Sequence, residues 1–130
     1  MELSYKDLLR ADACHLQVVR FREAFGDGVV KVTRAKVVKH ATQFDWNWAA
    51  FHLLSKERGR EWLRVYLGPG MRQKRDDVWQ AVQRVYGTSG TARRKREKEL
   101  DELRSALSKR LALLFFRLAD QQKSPSRRTV

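Results

Sequence analysis

Apolar residues recur along this chain at three- and four-residue intervals in stretch after stretch, and no series of alternating segments interrupts them, which is the periodicity of stacked helices. The densest stretch is residues 44–54, FDWNWAAFHLL. Asp45 is placed to cap a helix there, because a short carboxylate accepts hydrogen bonds from the free N–H groups of a first turn and complements the helix dipole. At about 100° per residue, Trp46, Ala50 and Leu53 fall on one side and Trp48 and Phe51 on nearly the opposite one. A helix apolar on both sides is buried between layers. The pattern therefore predicts a central helix over residues 45–54 with the rest of the chain packed on its two faces.

The flanking segments read as shorter helices. Ser4 with Asp7 resembles a capping box for a helix over residues 5–11. Asp12 can cap a second helix to Phe25, in which Cys14, Val18, Phe21 and Phe25 project within about 60° of one another and form a core stripe. Cys14 is read on that basis as a small buried apolar residue. Gly26-Asp27-Gly28 is a turn, and residues 29–33, VVKVT, are the only extended segment. Thr33 can cap a helix to Gln43 with Val37, Ala41 and Phe44 on one side. Ser55 can cap another to Leu67, with Trp62, Leu63, Tyr66 and Leu67 turned inward.

Gly68-Pro69-Gly70 breaks the chain before an amphipathic helix over Met71–Tyr86, whose apolar face carries Met71, Val78, Trp79, Val82, Val85 and Tyr86. Arg75 falls within that face, where its stem can snorkel, its guanidinium can join an ion pair, or it can be held for a ligand. Gly87-Thr88-Ser89-Gly90 is a hinge by composition, and Thr91 can cap the last helix. That helix begins with residues 93–98, RRKREK, without an apolar residue, and continues as a leucine stripe: Leu100, Leu103, Leu107, Leu111, Leu114 and Leu118. From Leu111 to Ala119 it is apolar nearly all round, so this end is either buried in the domain or an interface with a partner, including a second copy of the chain. The candidate interface residues are Leu107, Leu111, Leu114, Phe115 and Leu118. The expected organisation is a helical core domain over residues 1–86, a hinge at 87–91, a long helix over 92–120 and a disordered tail over 121–130. The fold class is all-α, with about six helices.

Composition bounds what such a fold can be. With 130 residues, 42% of them hydrophobic and 10% aromatic, the chain can bury a core. No run reaches the ~18 apolar residues of a membrane span, so no membrane partner is expected. The N-terminal residues carry acids early and lack an apolar signal region, and the single Cys cannot form an internal disulfide. These features fit a cytoplasmic protein.

Charge changes the picture most. The 28 Lys and Arg against 15 Asp and Glu give +13, distributed as +2 over residues 1–54, +8 over 55–98 and +3 over 99–130. Clustered positive charge is the footprint of a polyanionic partner, most often nucleic acid. The best candidate site is Arg93, Arg94, Lys95, Arg96 and Lys98, extended by Arg72, Lys74 and Arg75, with Arg84 and the C-terminal Arg127 and Arg128 as further cations. Such residues grip phosphates with strong salt dependence and little sequence information. The same run also reads simply as a solvated helix start. A bZIP comparison is poor, because the 3-4-4-3-4 leucine spacing follows a straight helix and no Asn stands in the basic run to read a base edge.

Catalytic and metal chemistry find little support. Cys14, His15, His40 and His52 lack ligand spacing, and no cofactor is implied. Asp45 and His52 read as a cap and a core histidine, and the two glycine turns match neither phosphate-cradling pattern. No catalytic or metal-binding residues are assigned, and the chain reads as non-enzymatic.

Taken together, Cys14, Gln17, Phe21-Arg22, Phe25-Gly26-Asp27, Val32-Thr33, Phe44-Asp45-Trp46, Trp48-Ala49-Ala50 and Leu53-Leu54-Ser55 resemble a small family of bacteriophage and prophage proteins. That family shares a C-x-x-Q…F-R-x-x-F-G-D segment followed by V-T and D-W-x-W-A-A-x-x-L-L-S. The resemblance covers residues 12–56. It implies a phage or prophage accessory protein of the host bacterial cytoplasm, with no activity to carry over. Two functions follow as expectations. One is a nucleic-acid-binding accessory protein. The alternative is a protein-binding factor, an inhibitor of a host defence or transcription complex or a virion component, which would use the basic face on an acidic host protein together with the apolar C-terminal helix.

Overall fold

The computed structural model of the chain describes residues 1–122, 124 and 125. Its architecture is all-α, with seven helices and one two-stranded ribbon among the described residues. Within those residues no helix is long and apolar enough to cross a membrane.

The N-terminus is tied down first. Strand β1 (Glu2–Leu3) pairs antiparallel with β2 (Val30–Lys31), Leu3 opposite Val30, and the Val32 N–H donates to the Met1 carbonyl at 2.9 Å. The extended segment thus finds its partner at the far end of the N-terminal region, a pairing that two residues of periodicity cannot reveal. In α1 (Tyr5–Arg10) the Asp7 carboxylate reaches back to accept from the Ser4 N–H at 2.8 Å, as a capping box requires.

Helix α2 (His15–Phe25) starts later than expected. Asp12 takes a left-handed φ of 59° in the preceding turn, and Cys14, with extended backbone, is the N-cap. A residue before the helix does not follow its screw, so Cys14 leaves the Val18–Phe21 stripe and is exposed. The expectation of a buried Cys14 is corrected accordingly.

Thr33 caps α3 (Arg34–Lys39), its Oγ1 accepting from the Lys36 N–H at 3.3 Å. The helix stops short of Gln43 because the chain tightens into three-residue turns, the Ala41 N–H donating to the Val38 carbonyl at 3.4 Å and the Gln43 N–H to the His40 carbonyl at 3.0 Å. Beyond them the Trp46 indole donates to the Ala41 carbonyl at 2.7 Å, and the Asp45 N–H donates to Gln17 Oε1 at 3.0 Å. Asp45 then caps α4 (Trp46–Leu53), its Oδ1 accepting from the Trp48 N–H at 3.0 Å. Trp46, Ala49, Ala50 and Leu53 are buried, but Trp48 is half-buried and Phe51 is 62% exposed. Helix α4 therefore has one buried face, not two: it packs chiefly on the two helices described next and last, and nothing as extensive covers its far side.

Ser55 caps α5 (Lys56–Tyr66), accepting from the Arg58 N–H at 3.2 Å. Trp62 is buried, whereas Leu63 and Leu67 face solvent against expectation. Pro69 opens α6 (Pro69–Tyr86) at the first helical position, where its missing N–H costs nothing. After a turn in which Gly90 takes φ 61°, α7 (Gly90–Ala119) runs back antiparallel along α6.

Two apolar cores result. Leu100 joins Ala81 and Val85 in a small one between α6 and α7. The C-terminal half of α7 enters the main core with Leu111, Ala112, Leu114, Phe115, Leu118 and Ala119, packing on α3, α4 and α5 as well as α6. Trp46 and Phe115 rings lie 5.5 Å apart. The long helix is thus an integral part of the fold, not an element set apart from residues 1–86. The expected disordered tail lies largely outside the described residues, with Lys123, Arg127 and Arg128 among those. Gln122, placed in that tail by the sequence, is instead bonded to the backbone between α4 and α5.

Candidate nucleic-acid interface

The first turns of α7 stand on one side of the α6–α7 turn, and their charges are sorted by the helix itself. Arg93 Nε pairs with Glu97 at 3.0 Å and Arg96 with Glu99 at 3.2 Å. Both acids sit three or four residues further on, the spacing at which helix side chains meet. Arg94, Lys95 and Lys98 form no ion pair among the described residues and are exposed. They project away from Leu100 and Leu103, the residues that hold this part of α7 against α6. Of the five cations in the run, these three are the unpaired ones among the described residues.

The second group is displaced from the first. Because α6 and α7 are antiparallel and Leu100 is level with Ala81 and Val85, Arg72, Lys74 and Arg75 lie about 18 Å along the hairpin from residues 93–98, at 1.5 Å of rise per residue. The two groups do not merge into one patch. Arg75 also has a structural occupation: its guanidinium lies 4.3 Å over the Tyr66 ring, which in turn stacks on Trp62, and its Nε is buried with no hydrogen-bond partner among the described residues. Arg72 is exposed and Lys74 half-buried.

The apolar interface residues are engaged inside the chain. Leu111, Leu114, Phe115 and Leu118 are each at most 9% exposed, and Leu107 is half-buried against the same core. Their apolar surface is covered by α3, α4, α5 and α6, so of the two readings of this helix end, burial within the domain is the one observed. A partner interface at these residues is corrected.

Two features escaped the sequence reading. Trp79 and Tyr86, assigned to the inner face of α6, are 63% and 78% exposed. They lie on the edge of the apolar stripe, and α7 contacts only its centre, through Val78, Ala81, Val82 and Val85. Residues 28–44 hold Lys31, Arg34, Lys36 and Lys39 with no acid between Asp27 and Asp45, a local excess hidden when charge was summed over the first 54 residues. Lys31, Arg34 and Lys39 are exposed, while Lys36 Nζ donates to the Lys31 carbonyl.

Elsewhere two surface acids are held by arginines. The Asp27 carboxyl is held below its usual range by the Arg22 guanidinium that donates to it at 2.8 Å, and Arg22 also lies 4.6 Å over the Tyr5 ring. Glu61 is lowered first by its hydrogen bond from Arg64. His52 Nδ1 lies 3.1 Å from the Trp48 carbonyl and its ring stacks on Trp48, while Asp45 is occupied by its cap. Among the described residues no three His, Cys, Asp or Glu side chains come together as a cation site. Compared with known proteins, the chain matches no family model, no curated protein and no solved structure.

Proposed function

We propose that this is a non-enzymatic nucleic-acid-binding accessory protein that grips the phosphate backbone through the first turns of α7. The observation that carries the reading is the exposed trio Arg94, Lys95 and Lys98, unpaired among the described residues, on a chain of net charge +13. Two ammonium groups and a guanidinium within about one helical turn suit the acceptors of a polyphosphate backbone, and each contact releases condensed counterions. The exposed Lys31, Arg34 and Lys39 extend the favourable potential. The protein-binding alternative places its apolar anchor on α7, and the leucines suited to it are occupied within the core.

The test is fluorescence anisotropy of labelled nucleic acid across a salt series, beside an Arg94/Lys95/Lys98→Gln variant. The reading requires strong binding at ~50 mM salt that weakens steeply as salt rises, with a shallower slope in the variant. Absence of binding at low salt would remove it.

A further inference from the structure

Trp79 and Tyr86 are the two most exposed aromatic side chains on α6, at 63% and 78%, and neither is used by the fold's two cores. On the helical screw they share a stripe with Arg75 and Arg72, all within about 60°. In an antiparallel helix pair, residues rotated in the same sense from the packed stripe lie on the same side of the pair. On α7 that rotation from Leu100 and Leu103 brings Arg93 and Arg104 to the flank where α6 carries Trp79 and Tyr86. This flank therefore presents two exposed aromatic residues among Arg72, Arg75, Arg93 and Arg104, against the acids Glu97, which is tied to Arg93, and Asp101.

Exposed aromatic surface costs free energy in water, and the cations beside it favour an anionic partner. What satisfies both is a polyanion that also offers flat apolar faces. Duplex nucleic acid presents phosphates but keeps its base faces inside the stack; a single strand presents both. The spacing agrees: Trp79 and Tyr86 are about 10 Å apart along the helix, close to three nucleotide steps of ~3.4 Å.

Resting on the nucleic-acid reading above, we propose that the ligand is single-stranded, with bases stacked on Trp79 and Tyr86 and phosphates held by Arg72, Arg104 and the α7 trio. Both aromatic residues are exposed, so replacing them leaves the cores intact.

The experiment compares anisotropy of an oligomer of about 20 deoxythymidines, longer than a ~4–16 nucleotide site, with a duplex of equal length. Proteins are wild type, Trp79→Ala, Trp79→Phe, Tyr86→Ala and Arg94/Lys95/Lys98→Gln, each checked for unchanged helical circular dichroism. Expected are tighter binding of the single strand, about a tenfold loss from each alanine change with an unaltered salt slope, and substantial rescue by Trp79→Phe. If the alanine variants bind the single strand like wild type, or the duplex binds as tightly, stacking is overturned. The backbone grip still stands in that case provided the Gln variant binds more weakly and with a shallower salt slope. If no protein binds either nucleic acid, both proposals fall together.

Discussion

Gln122 and Ser55 meet across 67 residues of sequence: the Gln122 side-chain oxygen accepts from the Ser55 N–H at 2.6 Å, and its amide nitrogen donates to the Leu53 carbonyl at 3.3 Å. One side chain thus satisfies both backbone groups left over where α4 ends and α5 begins, and it fixes the end of α7 to that corner. Gln122→Ala strands both in a partly buried place and should lower stability by about 1–3 kcal/mol. Gln122→Glu keeps the acceptor but loses the donor, so it should fall between the two. Urea unfolding followed by circular dichroism measures the difference.

The main core should respond to volume at α7 in both directions. Ala112 is fully buried, as is Ala119, where the helix packs on its neighbours. Ala112→Leu inserts methylenes into a closed space and should cost about 1–3 kcal/mol. Phe115, 2% exposed beside Trp46, leaves a cavity when shortened, and Phe115→Ala should cost about 3–5 kcal/mol. Introducing a charge there, as in Phe115→Asp, should give a protein that is unfolded by circular dichroism at ambient temperature.

Caps were legible where the side chain decides them. Thr33, Asp45 and Ser55 each accept the backbone N–H that their side chains suggest, whereas Asp12 and Thr91 do not cap: Cys14 and Ser89 hold those positions, without a side-chain cap bond. Burial was less legible, because it depends on which neighbour arrives. Phe51, Leu63, Leu67, Trp79 and Tyr86 all sit on or beside apolar stripes, yet all remain exposed. A stripe tells which residues suit a core and not how wide the covering helix will be. The same limit applied to Leu111–Ala119, whose continuous apolarity was equally consistent with a core and an interface until α3, α4 and α5 were seen to cover it. In the basic run, composition gave five cations, but only the acids at Glu97 and Glu99 decide which three remain unpaired.

Asp27 should titrate below an ordinary aspartate. Its carboxylate accepts from Arg22, and that hydrogen bond is the main cause of the lowered pKa, the guanidinium charge the second. A carboxyl whose folded pKa lies below its unfolded value contributes stability above the unfolded pKa and loses it as pH falls through the folded one. The loss therefore occurs in the acid range below about pH 4. Both groups are solvent-exposed, so the contribution to stability is small. Carboxyl chemical shifts across an acid titration should show Asp27 titrating late, and Arg22→Ala should return it to the ordinary range.

The two basic groups should separate by their effects on salt dependence. Arg94, Lys95 and Lys98 hold nothing in the fold, so replacing all three with Gln should leave urea unfolding unchanged. It should reduce the slope of log affinity against log salt by about 2 for a single strand, one ~0.7 increment per lost phosphate contact. Arg93 and Arg96 are already neutralised by Glu97 and Glu99. Arg93→Gln and Arg96→Gln together should therefore change the slope by less than any two of the trio, although all five cations lie within six consecutive residues. Arg75 behaves differently again. Its guanidinium covers Tyr66 at 4.3 Å, so Arg75→Ala should destabilise the fold by about 0.5–2 kcal/mol as well as weaken binding, whereas exposed Arg72→Ala should affect binding alone. A variant set in which Arg93/Arg96→Gln flattened the slope as much as the trio would mean that binding breaks the intrahelical pairs. The phosphate path would then take in Arg93 and Arg96 as well as the trio.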